Sequence, residues 1–75
     1  MPYRKRHSRY LIVIEKAGKN YSAYLPDVPG CISTGETQEE ARENLIEALK
    51  FHFEGLKQEG CSKPRPKTKV GYALV

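Results

Sequence analysis

The sequence predicts an α+β domain in which an antiparallel sheet carries one long helix on one face, in the order β-β-β-α-β. Three observations point there. Alternating apolar stretches flank a glycine-bearing turn near residue 18, prolines interrupt the chain at 26 and 29, and an acidic-headed segment with three- and four-residue apolar spacing starts near 38.

Residues 9–15 read as the first strand, with Tyr10, Ile12 and Ile14 on one face and Leu11 and Val13 on the other. Both faces are apolar, so the second is expected to be covered by another chain or by the edge of a larger core. Ala17-Gly18-Lys19-Asn20 makes the hairpin connection, and residues 21–25 return antiparallel. Pro26 and Pro29 lack amide donors, which forces the chain out of the ladder after Leu25. Pro29-Gly30 suits a type II turn, and residues 31–34 supply a third, short strand.

Thr37-Gln38-Glu39-Glu40 has the pattern of a capping box, the Thr37 hydroxyl accepting from the Glu40 amide and the Glu40 carboxylate from the Thr37 amide. Helix is expected from about residue 38. Ala41, Leu45, Ala48, Leu49, His52, Phe53 and Leu56 form its apolar stripe, while Ile46 and Phe51 lie off it, either widening the packed face or making an external contact. Early glutamates with later Lys50 and Lys57 suit the helix dipole, and Gly60 is the expected C′ residue. A connection through residues 60–69, stiffened by Pro64 and Pro66, leads to a last strand at 70–75, with Val70, Tyr72 and Leu74 facing one way. Residues 1–8 form a basic, flexible leader and 9–75 a single domain, without internal repeats or low-complexity sequence.

A chain of 75 residues buries only roughly 60% of its extended surface, so association with a copy of itself or a partner is expected. The net charge of +4 is a weak indicator of nucleic-acid binding by itself. Its distribution says more. Arg4, Lys5, Arg6 and Arg9 cluster ahead of the first strand, Lys63, Arg65, Lys67 and Lys69 form an acid-free run near the end, and the helical region between them is rich in glutamate. Two cysteines, no secretory leader before the first strand and no apolar run near the about 20 residues a bilayer demands point to a cytoplasmic protein with reduced thiols.

No constellation of catalytic, cofactor-binding or metal-ligating residues is evident, and neither an enzymatic activity nor a cofactor is expected. His52 falls on the apolar stripe and reads as a packed or hydrogen-bonded structural residue; His7 lies in the leader. Neither has a Cys or His partner at metal-ligand spacing. Cys31 reads as a small buried hydrophobe, with no base evidently placed to activate it, and Cys61 as a contact at the helix end. Asp27, between two prolines, is expected to cap the local backbone as an Asx-type turn. Glu39, Glu40, Glu43 and Glu47 lie along the solvent side of the helix, either as an ordinary solvated face or as an acidic surface for a basic protein. Tyr10, Tyr24 and Tyr72 read as packing or interface residues rather than base-stacking platforms.

The stretch Tyr21-Ser-Ala-Tyr-Leu-Pro26-Asp27-Val-Pro29-Gly30-Cys31, followed by Thr34-Gly35-Glu36-Thr37-Gln38-Glu39-Glu40-Ala41, resembles the HicB-type antitoxins. Asn44, Ala48, Leu49, Pro64 and Pro66 continue the resemblance, which covers roughly residues 9–75. It implies a partial ribonuclease-H-like domain without ribonuclease activity that neutralises a small HicA-type, mRNA-cleaving toxin by blocking its RNA-binding or catalytic surface. Glu39, Glu43, Glu47 and Asp27 are the expected toxin-binding residues, with the Pro26 to Cys31 turn or a short C-terminal segment as the alternative plug, and a homodimer or higher oligomer is the expected assembly. Longer members of that family carry a C-terminal DNA-binding domain beyond the point where this sequence closes, so operator binding by this chain is not expected.

Two rival classes have distinct signatures. A small nucleic-acid-associated protein would use Arg4, Lys5, Arg6, Lys67 and Lys69 on phosphates, giving steeply salt-dependent binding. An enzyme with an unrecognised site would bring His52 within reach of Asp27 or Cys31 in an open cleft.

Overall fold

The computed structural model describes residues 8–75. The basic cluster Arg4, Lys5 and Arg6, His7 and most of the expected leader therefore lie outside the described residues. Three antiparallel strands, β1 (Val13–Ala17), β2 (Asn20–Tyr24) and β3 (Ile32–Gly35), form a sheet in the order β1-β2-β3, and a single helix, α1 (Gln38–Gln58), packs on one face.

Val13 pairs with Tyr24 and Ile14 with Ala23, while Tyr24 pairs with Ile32 and Ala23 with Ser33. In this register residues 10–12 would have to pair with 25–27, where Pro26 can donate no amide and the chain turns away. Strand β1 consequently begins at Val13 instead of residue 9. The face assignment expected for this segment is found, since Tyr10, Ile12 and Ile14 pack against the core.

The 25–31 loop is closed by three backbone bonds. Val28 N–H donates to Leu25 O (3.1 Å), Cys31 N–H to Val28 O (3.2 Å), and Leu25 N–H to Cys31 O (3.4 Å). The second bond and Gly30 at φ +83° give the type II turn over Pro29-Gly30. Val28 is thereby folded under the sheet, fully buried beside Ala23, Leu25, Cys31, Ala41 and Leu45, which together form the core.

Helix α1 starts where expected, with the Glu40 amide donating to Thr37 Oγ1 at 3.0 Å. The reciprocal bond differs: Glu40 Oε1 accepts from the Glu36 amide at 2.8 Å, not from that of Thr37. Gly35 lets the helix start close to β3, because a Cβ there would come within 2.9 Å of the Ala41 Cα. Asn44 donates to Thr34 O at 2.9 Å and adds a second tie between the helix and β3. At the other end Cys61 N–H reaches Leu56 O (2.8 Å) and Gly60 N–H reaches Lys57 O (3.1 Å), a Schellman motif with Gly60 at C′.

A helix of 21 residues is about 31 Å long, whereas five-residue strands span about 17 Å, so its C-terminal half overhangs the sheet. That overhang overturns the expectation for His52, which follows the helical spacing of the stripe but is exposed. Phe51 is also exposed, and Ile46 is half-buried.

The expected fifth element does not join the sheet. Residues 61–75 form neither helix nor strand, and Val70, Tyr72, Leu74 and Val75 are all exposed. The order among the described residues is thus β-β-β-α.

Candidate protein-docking surfaces

The loop before β3 is held to the far end of the chain by Asp27. Its Oδ2 accepts from the Lys67 amide (3.0 Å) and the Thr68 amide (2.9 Å), and its Oδ1 from the Thr68 hydroxyl (2.6 Å). The Thr68 hydroxyl and amide hold the Asp27 carboxyl below its ordinary range; burial pushes the other way, and the Lys67 amide and charge add to the lowering. An Asx-type local turn was the sequence expectation. Asp27 instead forms a long-range clamp, because both carboxylate oxygens are taken up by a segment about forty residues away. Thr68, its main partner, gave no local signal in sequence.

A second tie fixes the same crossing segment. The Tyr10 hydroxyl donates to Pro64 O at 2.7 Å, and its ring lies 5.5 Å from that of Phe53, over which Lys63 places its ammonium at 5.1 Å. Tyr10 is accordingly a packing residue, as its strand position suggested.

Three surfaces remain open. On the sheet face opposite α1, the register puts Val13, Tyr24 and Ile32 side by side in one cross-strand row, with Ile32 63% exposed. Along the outer side of α1, Glu39, Glu43 and Glu47 are exposed at one-turn spacing, opposite the buried Ala41 and Leu45, with Glu36 and Glu40 at the same end. The third surface runs beside β1. Helix α1 lies over β3 and β2 and barely meets β1, which leaves a groove of about 480 Å³ lined by Arg9, Tyr10, Leu11, Ile12, Arg42 and Thr68. A further 300 Å³ hollow at Ile14, Gln38, Glu39 and Arg42 adjoins it through Arg42.

Among the described residues the candidate reactive groups lie apart. Cys31 is buried, and burial pushes its thiol pKa up, away from the thiolate. Asp27 opens onto a cavity with Pro26, Pro29, Pro64, Arg65 and Lys67, whereas His52 lines none of the cavities described. Among the described residues no three His, Cys, Asp or Glu side chains converge as metal ligands. No helix of the described residues is long and apolar enough to cross a membrane. Lys67 and Lys69 are exposed on the crossing segment.

Residues 10–73 match the family described as the HicB-like antitoxin of bacterial toxin-antitoxin systems. The chain belongs to the HicB-like antitoxin family. This is a family of protein-binding modules, not of enzymes. Among solved structures, a chain of a HicA3 and HicB3 toxin-antitoxin complex is similar at 37% identity and a TM-score of 0.65, covering 79% of this chain and 70% of that one. A 14.9 kDa protein from the rep-hol intergenic region of Haemophilus phage HP1 is 45% identical over 56 residues, which are 75% of this HicB-like chain but 42% of the phage protein. A UPF0150 protein of Synechocystis is 38% identical over 64 residues, 84% of this chain and 78% of that protein. One from Thermoplasma acidophilum is 34% identical over 58 residues, covering 76% and 84%.

Proposed function

We propose that this HicB-like chain acts as the antitoxin of a type II toxin-antitoxin pair, binding a small HicA-type ribonuclease and covering the surface it uses on RNA. The observation that carries this reading is the similarity to a chain of a toxin-antitoxin complex over 79% of this sequence. Geometry supports it: the molecule offers adhesive surfaces on a rigid frame, and no bond has to be made or broken for a partner to be blocked.

The toxin-docking surface in this proposal is the exposed row Glu39, Glu43 and Glu47 on α1. An RNA-binding enzyme carries positive charge where its substrate sits, and an acidic row competes for that charge and speeds encounter. Asp27 contributes indirectly, because its carboxylate is committed to Lys67 and Thr68 and serves to hold the loop in place. The assembly proposed is a homo-oligomer in the cytoplasm, in keeping with the free thiols of Cys31 and Cys61. The finer ribonuclease-H-like reading calls for a further strand beside β1.

The test is stoichiometric. Titrating the chain into a HicA-type ribonuclease encoded beside it is expected to stop RNA cleavage at a fixed molar ratio, with a complex that survives size-exclusion chromatography. Undiminished cleavage at molar excess of the chain sinks the proposal. The rival reading, phosphate binding through Lys67 and Lys69, requires RNA or DNA to bind without any toxin, with affinity falling steeply as salt rises.

A further inference from the structure

We propose that residues 70–75 of one copy pair, as a fourth strand, along the open edge of β1 in a second copy, so that two chains exchange these segments reciprocally. This rests on the self-association included in the proposed function, but not on the toxin.

The segment has the pattern of a strand and none of its partners. Val70, Tyr72 and Leu74 alternate with Gly71, Ala73 and Val75, yet Val70 is 56% exposed, and Tyr72, Leu74 and Val75 are essentially bare. Large apolar side chains in a two-residue period are the signature of a half-buried strand, and a contiguous run of them on a surface marks an interaction site. The radius of gyration, 14.6 Å against about 11 Å for a compact chain of this length, reflects both the helix overhang and this projecting segment.

The vacancy lies elsewhere in the same molecule. Because α1 sits over β3 and β2, the inward side chains of the β1 segment, Tyr10, Ile12 and Ile14, are only half-buried. Beyond them run the groove at Arg9–Ile12 and the hollow at Ile14. Residues 9–12 also lie outside any ladder, their β2 side having been lost at Pro26. A strand added there would place Val70, Tyr72 and Leu74 against Tyr10, Ile12 and Ile14 beneath the helix, and set the small Gly71 and Ala73 beside Leu11 and Val13. Six residues of strand reach about 20 Å, which matches the length of that edge.

The occupant is a second copy and not the chain's own segment. Three bonds from Lys67 and Thr68 to Asp27, and one from Tyr10 to Pro64, hold the chain as far as Thr68, and beyond that clamp residues 70–75 lie exposed and outside its own sheet. Two copies with the same clamp, the same projecting strand and the same open edge satisfy each other in a self-complementary pair. The edge is lined by Arg9 and Arg42 beside Glu39, which disfavours a basic toxin there, and the match with a second copy rests on apolar alternation and backbone pairing.

Sedimentation of the full chain and of a variant stopped after Lys69 tests the pairing, together with a disulfide trap in a Cys61→Ser background. Expected results are a dimer for the full chain, a folded monomer after truncation, and a covalent mixed dimer when a chain carrying Ile12→Cys meets one carrying Tyr72→Cys. A monomeric full chain overturns both this pairing and the self-association behind it. A dimer that survives truncation, or a doubly substituted chain that closes only on itself, overturns the strand exchange alone. Toxin inhibition by the truncated chain is read separately, so the two proposals fail independently.

Discussion

The half of the molecule around β2, β3 and the first turns of α1 is closed, and the half around β1 and the last turns of α1 is open. In the closed half the buried hydrophobic residues form one cluster drawn from three places: Ala23 from β2, Leu25, Val28 and Cys31 from the loop, and Ala41 and Leu45 from the helix. In the open half Tyr10, Ile12, Ile14 and Phe53 are only half-buried, and Phe51 faces solvent. The closed half determines that the chain folds, and the open half leaves an apolar edge unfilled.

The contrast is broken most directly by the same truncation made on both sides. Leu45→Ala is expected to cost about 2–5 kcal/mol, since a fully buried leucine leaves a cavity between helix and sheet. Phe51→Ala, though a larger deletion, is expected to stay within about 0.5 kcal/mol because the ring is 73% exposed. Denaturant unfolding of the two variants measures the difference, and equal losses would show that the overhanging half is as packed as the core.

Asp27 joins the two halves, and its removal has a narrower effect. Asp27→Ala is expected to lower the melting temperature and to speed proteolysis after Lys67 and Lys69, because the crossing segment loses its clamp. The carboxyl is held below its ordinary value of 3.8, so the folded state binds its proton less readily than the unfolded chain. The clamp therefore contributes its full stability above the ordinary value, and that contribution is lost as pH falls through the lower folded one. Wild type should lose this stability on acidification below about pH 4, whereas Asp27→Ala should lack that component of the acid limb. A variant with an unchanged acid limb would show that the carboxylate does not act as the clamp.

Elements fixed by neighbours in sequence were legible before the structure. Thr37 capping the helix, Gly30 allowing the type II turn and Gly60 closing α1 act within a few residues, and each was found. What distance decides was not legible. The partnership of Asp27 with Thr68 has no local trace, and the exposure of His52 follows from the mismatch in length between helix and strands rather than from helical spacing. The strand expected at residues 70–75 shows the same limit. Its alternation at Val70, Tyr72 and Leu74 is plain in sequence, but alternation specifies a face and not which chain supplies the edge. The acidic row was likewise legible in sequence, on the solvent side of a helix whose apolar stripe includes Ala41 and Leu45, and it is found there.

In the proposed complex the exposed acidic row of α1 docks the toxin, and the core buried beneath it serves as the frame. The most direct measurement is the rate and salt dependence of toxin association for wild type and for a Glu39→Arg, Glu43→Arg double variant. Association of the variant is expected to be about tenfold slower at low salt, with a flatter salt slope and unchanged unfolding. An unchanged rate and an unchanged slope would contradict it and place the toxin elsewhere on the molecule.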